Sequence, residues 1–359
     1  MKISENVLLS DITTMRLGGE ARYVVDVETP EEITEAVEFA NEKGLPIYFL
    51  GEGANSIGHD EGYKGVILRN HIKGITVIDE DEKIIKGYGG ENWDNVVKFT
   101  TFLGWSGIEC LSKIPGSLGA APVQNIGAYG QEVAQVITEV EAFDLMLEEF
   151  VTFSKEEMNF SYRRSIFNYG EKAGRYFIVS VTMKLNEKWL EPPFYNSLQK
   201  EIDANEVTEF SPENIRELVS IIRERKLPDP VKTASAGSFF KNVTIEAAEI
   251  PEAEARGIKV YKNPDGTGKI NSGWLIQECG LAGQELFGFQ VSDKAALVLI
   301  NKSARSYSEL ERAVNEIKRQ VKARFGYELE QEPNEITENN GMMKPDLLDP
   351  HDNCLGAAL

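Results

Sequence analysis

Histidine, cysteine and long apolar runs are scarce in this chain of 359 residues, and each scarcity removes a class of function. The three histidines, His59, His71 and His351, lie far apart in sequence. None stands near an obvious nucleophile, so a Ser-His-Asp hydrolase and a multi-histidine metal site are both disfavoured and no metal is expected. The three cysteines, Cys110, Cys279 and Cys354, are odd in number and form no CxxC pair. Disulfides are not expected, and a reducing cytoplasm fits that usage. No apolar run reaches the roughly 18 residues that a membrane span needs. The opening stretch MKISENVLLSDITTM has no long apolar core and no small-residue cleavage site, so neither a signal peptide nor membrane insertion is expected. Positive charge is also in deficit: 38 Lys and Arg stand against 58 Asp and Glu, a net charge of −20. Such a field argues against general binding to nucleic acid or membrane surfaces. An anionic ligand would need a local cluster of Arg and Lys.

What is present is richer. With 42% hydrophobic and 9% aromatic residues the composition is ordinary for a globular protein, and the length allows two or three domains. The most informative stretch is 114–132, IPGSLGAAPVQNIGAYGQE. It holds four Gly, two Pro and three Ala, too many breakers for a long helix and too few β-branched residues for a plain strand. Glycines this dense let backbone approach a ligand and aim several N–H groups at it, which suits a phosphate or pyrophosphate. The stretch is neither a GxxxxGK[ST] loop nor a strand-initiated GxGxxG. The bland alternative is a Gly-rich structural loop.

Reading along the chain, 11–29 is a Gly-punctuated turn and then a strand. A helix follows at about 30–43, with Pro30 at its start, Ile33, Ala36, Val37 and Ala40 on one face and Gly44 at its end. A strand at 45–50 runs into a second glycine loop, GEGANS (51–56), the arrangement that places backbone N–H groups at a strand end. Short strands are expected at 65–69, 75–79 and 84–88, and a helix at 92–103. Residues 137–186 read as strand-rich, with a capping-box pattern at Ser154 and Glu157 and a strand at 176–185. Between them, NFSYRRSIFNYG (159–170) sets two arginines among aromatics, which suits carboxylate or phosphate recognition; the alternative is two ordinary surface arginines. Residues 187–210 read as an insertion or crossover. A helix at 212–226 takes Ser211 as N-cap, and KLPDP (226–230) breaks it. In TASAGSFFKN (233–242), Ser238 sits between Gly237 and Phe239, where its hydroxyl could be held in apolar surroundings. A short helix at 273–279 and a strand at 296–301 come next. The last helix, 309–325, is given Ser308 and Glu311 as its capping box and Gly326 as its stop. Residues 337–359 show no periodicity and read as a poorly ordered tail.

Five blocks then occur in a fixed order: TTMRLGGEA (13–21), GEGANS (51–56), 114–132, FSYRRSIF (160–167) and AGSFFKN (236–242). Together they resemble the UDP-N-acetylenolpyruvoylglucosamine reductase family, over about 13–332. The resemblance implies an α+β protein: a two-part FAD-binding region of the vanillyl-alcohol-oxidase (PCMH) type, 1–70 and 71–226, and a C-terminal α/β substrate-binding domain, 227–336. It implies FAD as cofactor, NADPH as co-substrate and a UDP-sugar as substrate, with a monomer expected. FAD would be held by Gly51, Glu52, Gly53, Ala54, Asn55 and Ser56, and by Pro115, Gly116, Ser117, Gly119, Ala120, Gln124, Asn125, Gly127, Ala128 and Tyr129. The implied catalytic residues are Arg163, Ser238 as proton donor and a glutamate. The family's L-x-x-E-V-R appears here as LEQEPNEI (329–336), so Glu332 fits the register, with Glu330 and Glu335 as competitors. Lys226 or Lys241 would support charge near Ser238. The insertion at 187–210 resembles the family's longer form, with Tyr195 as its substrate-covering tyrosine. Lys226, Asn242, Tyr261 and Glu285 match further substrate positions. GHD (58–60) departs from the family's apolar continuation. The competing reading is another FAD-dependent oxidase or dehydrogenase of the same superfamily, or a binding protein that has lost catalysis.

Overall fold

In the helix Glu31–Glu42, Ile33, Ala36, Val37 and Ala40 fall on one face and are buried, with the acidic Glu31 and Glu32 in its first turn. That face packs on a four-stranded sheet whose order is Lys2–Leu8, Glu20–Val27, Tyr63–Asn70 and Ile47–Leu50. The first pair is antiparallel and the others are parallel. The computed structural model describes residues 1–338 and 340–343; residue 339 and residues 344–359 lie outside the described residues.

A second sheet is antiparallel throughout. Its order is Glu149–Ser154, Ile137–Asp144, Tyr176–Lys184, Ile84–Tyr88 and Ile75–Asp79. Phe143, Phe177 and Val179 of this sheet share one buried cluster with Val25, Ile47 and Leu68 of the first, so the two sheets enclose common core. Helix Trp93–Phe102 lies against the second sheet. The third part combines helices Ser272–Glu278 and Tyr307–Phe325 with short antiparallel strands around a separate cluster. The chain then returns: Asn334–Ile336 pairs in parallel with Ser56–Gly58, the strand that follows the first glycine loop.

Several local expectations shift. The capping box of the last helix is Ser306 with Glu309, not Ser308 with Glu311. Ser306 has the extended backbone a cap needs, and Ser308 is already inside the helix. Ser154 donates from N and Oγ to Glu157, both at 2.8 Å, but a turn rather than a helix follows. The insertion at 187–210 contains a helix, Asn196–Ala204, whose Leu198 and Ile202 pack on Ile215, Leu218 and Ile222 of helix Pro212–Lys226. The strand Lys2–Leu8 carries no buried side of its own, so alternation could not reveal it. Of the 337–359 tail, residues 337, 338 and 340–343 are described, and there Met342 pairs with Ile47. The remainder of that expectation lies outside the described residues.

One buried pair joins the second sheet to its loop. Asp144 accepts two bonds from Arg175, at 2.7 and 2.6 Å, and others from the N–H groups of Met146 and Leu147. Burial alone pushes this carboxyl up, but Arg175 and the two N–H groups outweigh it and hold it below the usual carboxylate range. A depressed carboxyl contributes stability that is present above its unfolded value and lost as pH falls through its folded value. Asp144→Asn is therefore expected to cost about 3 kcal/mol near neutral pH. Its deficit should shrink in urea melts below about pH 3. A deficit that does not change with pH would show that the carboxylate charge contributes nothing.

Candidate active site

Strand Ile47–Leu50 delivers the backbone straight into the loop 51–56. Gly53 has φ +67, and a Cβ there would lie 2.1 Å from the carbonyl oxygen of Ile12. The loop is thus pressed onto the TTM segment, where Thr14 N donates to Gly53 O at 3.1 Å. Across from it, a Cβ at Gly51 would lie 3.0 Å from Ser117 Oγ, so the two glycine loops stand close together there. Between them lies a cavity of ≈ 630 Å³. Gly51, Glu52, Gly53, Ala54, Asn55, Ser56, Pro115, Gly116, Ser117, Gly119, Ala120 and Gln124 all line it. Its size falls within the usual range for a cofactor, and its glycine walls suit a diphosphate, so these residues fit FAD. Gly53→Ala is expected to yield colourless protein, because backbone strain and the clash together cost about 2 kcal/mol or more at this wall. The flavin absorbance of the purified variant checks this.

The second half of the long loop does different work. Asn125 is buried at φ 45. Its Nδ2 donates to Glu132 Oε2 (2.9 Å) and Ser161 O (3.2 Å), and its Oδ1 accepts from Ala134 N at 3.1 Å. It holds the loop's shape from inside. Ala128 pairs with Gln131 in a short hairpin, and Tyr129 meets Tyr195 edge-on at 5.9 Å. Asn125, Gly127, Ala128 and Tyr129 do not line the glycine-walled cavity.

A second cavity, ≈ 660 Å³, adjoins the first and shares Ala54, Asn55, Ile114, Pro115, Gln124 and Ile126 with it. Arg163, Ser238 and Glu332 line this second cavity, with Gly127 beside them. Arg163 sits at φ 58 in a tight turn closed by two backbone bonds between Ser161 and Arg164. That strained position aims its guanidinium inward. Its Nε donates to Glu332 Oε1 at 2.9 Å and its NH2 to Gly127 O at 3.2 Å. Arg164 is exposed, with its guanidinium 4.3 Å above the Tyr169 ring.

Geometry separates the three glutamates. Glu330 is exposed and paired with Lys241. Glu335 is taken by His59 (3.1 Å), the Tyr307 hydroxyl (2.6 Å) and Gln331 (3.1 Å). Only Glu332 meets Arg163, and its side chain is 9% exposed. Its N–H donates to Phe239 O at 2.9 Å, beside Ser238, and Asn55 Nδ2 reaches its carbonyl at 3.4 Å. Burial pushes the Glu332 carboxyl above its usual value; Arg163 pulls the other way and does not cancel it. Ser238 is held by the neighbouring bond from Phe239 N to Leu297 O, 2.8 Å, and by its own bridge to Val298.

Lys241 lies within electrostatic reach of Glu332, but the lysines that line the cavity are others. Lys226 and Lys241 do not line this cavity; Lys113 and Lys232 do. Arg223 also lines it, and sequence reasoning missed it. Its Nε is buried without a partner among the described residues, and it lies close to the Tyr129 hydroxyl. Arg216 and Arg223 are seven apart and so share a helix face. Arg216 is satisfied by a bidentate pair with Asp94, at 2.7 and 2.8 Å, which leaves Arg223 as the cation facing the cavity. Tyr195 is 49% exposed and within electrostatic reach of Tyr261 and Lys259. Asn242 is engaged with Tyr162 and Ser272, and Glu285 is exposed on strand Glu285–Leu286. Tyr195, Lys226, Asn242, Tyr261 and Glu285 line neither cavity.

Family models match in two places: an FAD binding domain over residues 21–153, and the C-terminal domain of UDP-N-acetylenolpyruvoylglucosamine reductase over 229–336. The reductase of Neisseria gonorrhoeae is 38% identical over 331 residues, 91% of this chain and 95% of that protein. That of Ralstonia nicotianae is 36% identical over 89% of this chain and 95% of its own length. The chain belongs to the UDP-N-acetylenolpyruvoylglucosamine reductase family. The reductase of Escherichia coli K12 is 35% identical over 91% of the chain and 95% of that protein. The crystal structure of the family member from Thermus caldophilus shares the fold, with a TM-score of 0.64 at 24% identity. It covers 94% of this chain and 100% of its own. An FAD-binding domain followed by the family's C-terminal domain accounts for the two joined cavities, one on each side of the shared wall.

Proposed function

We infer that this protein reduces UDP-N-acetylglucosamine-enolpyruvate to UDP-N-acetylmuramate, with FAD as cofactor and NADPH as reductant. One observation carries the reading: an arginine, a near-buried carboxyl and a serine line a cavity that shares a wall with the glycine-loop cavity. Bound FAD supplies hydride chemistry at that wall. The substrate's carboxylate gains charge as its terminal carbon takes hydride. Arg163 is the group to hold that carboxylate, and Glu332, raised by burial, is a hydrogen-bond donor to it when protonated. The Ser238 hydroxyl delivers a proton to the adjacent carbon. Arg223, Lys113 and Lys232 supply local positive charge for a phosphorylated ligand against the chain's overall negative field. Tyr195 and Tyr261 close over the sugar nucleotide, supported by their mutual reach.

The same proposal divides the chain into a cofactor-binding half, 1–70 with 71–226, and a substrate half, 227–336. The common core of the two sheets and the separate C-terminal cluster support it. A cytoplasmic monomer belongs to this reading; gel filtration tests the monomer. A covalent-flavin histidine or cysteine would favour the competing oxidase reading. His59 is stacked on Tyr307 at 3.6 Å and bound to Glu335, Cys110 is in the helical core of the insertion, and neither lines the cofactor cavity.

The test is anaerobic. Protein reduced by NADPH is mixed with the enolpyruvyl sugar, and the visible flavin band is followed. Rapid return of the oxidised spectrum with formation of UDP-N-acetylmuramate supports the assignment. Flavin that stays reduced overturns it.

A further inference from the structure

We propose that residues 340–343 form the adenine-side wall of the cofactor site, a strap that Met342 fastens to the open edge of the first sheet. This rests on the FAD reading given above. Ile47–Leu50 is the last strand of its sheet, so one row of its backbone groups faces outward. Met342 covers that edge by exchanging both backbone bonds with Ile47, Ile47 N to Met342 O at 2.7 Å and Met342 N to Ile47 O at 2.8 Å. Asn340, Gly341 and Met342 line the glycine-walled cavity.

Position within the cavity decides which end of the cofactor they meet. The wall shared with the second cavity is where a ring must lie to exchange hydride with a substrate near Ser238. The strap is absent from that shared wall. It stands instead with Ile47, Phe49 and Phe177, an apolar and aromatic surface that suits a second flat ring. The fit is close. A Cβ at Gly341 would lie 1.9 Å from Tyr63 Oη and 3.0 Å from Pro46 Cβ, so only glycine lets the strap pass. Met342 then packs in the cluster that joins the two sheets. An unbranched thioether moulds to an irregular gap of this kind.

Five variants test this, by FAD affinity rather than turnover. A chain ended after Glu338 and full-length Met342→Glu are expected to bind FAD at least tenfold more weakly than the full chain. A chain ended after Lys344 and Met342→Leu are expected to match it. FMN, which lacks the adenosine, is expected to bind the full chain and Met342→Glu alike. Met342→Ala keeps the backbone pairing and gives a smaller loss in the same direction, which guards against a variant that fails to fold. Unchanged FAD affinity in both Met342→Glu and the chain ended after Glu338 overturns the strap. An equal loss for FAD and FMN overturns its adenine-side assignment. Should the full chain take up no FAD, the cofactor reading fails first, and the strap's role falls with it.

Discussion

Ser238→Ala is expected to leave the protein yellow and fully reducible by NADPH, while reoxidation by the enolpyruvyl sugar slows about a thousandfold. The two half-reactions separate because Ser238 lies on the substrate side of the shared wall and lines only the second cavity. Its removal takes away one hydroxyl from a segment fixed by backbone bonds at Phe239 and Lys241, so the cavity keeps its shape. The loss belongs to the proton step and should appear in the rate of flavin reoxidation, with little change in the substrate concentration that saturates it. Stopped-flow absorbance reads both quantities. A slowing of threefold or less would mean that another donor serves that carbon, with Lys232 the next group to test.

The ease with which this site was read differs from residue to residue, for physical reasons. Glycine loops advertise themselves, because close backbone approach at a positive φ leaves no alternative residue at Gly53. The helices at 31–42 and 212–226 were legible from apolar spacing and caps, and both lie within a residue or so of expectation. Glu332 could be placed in register, but its two neighbouring glutamates could be set aside only by their partners, His59 and Tyr307 for one and Lys241 for the other. Those partners come from distant parts of the chain. The departure at GHD meets one of the competing glutamates: His59 and Glu335 are bonded beside the strand pair Ser56–Gly58 and Asn334–Ile336. Arg223 was hidden because a cation within a helix reads as solvated surface. The strap was hidden because one Gly-Met pair carries no periodicity, and Met342 is placed by its pairing with a distant sheet edge.

Arg163→Met should be the more damaging change to the protein itself. It strands the Glu332 carboxyl in a site where its side chain is 9% exposed. Breaking a buried pair from one side costs about 3 kcal/mol. Removing a positioned charge-stabilising donor costs about a further hundredfold to thousandfold in rate. The pH dependence has a definite sign. Burial already holds Glu332 above its usual value, and Arg163 is the chief influence pulling it down. Without Arg163 the carboxyl rises further. A carboxyl raised on folding contributes stability that is full below its unfolded value and lost as pH climbs through its folded value. The deficit of Arg163→Met against the parent should therefore grow in urea melts as pH rises above the ordinary glutamate range. Adding Glu332→Gln removes the stranded charge, so the double variant should regain stability and lose the pH trend while staying inactive. A double variant as unstable as the single one would show that the cost lies in the strained turn at Arg163, not in the carboxyl it faces.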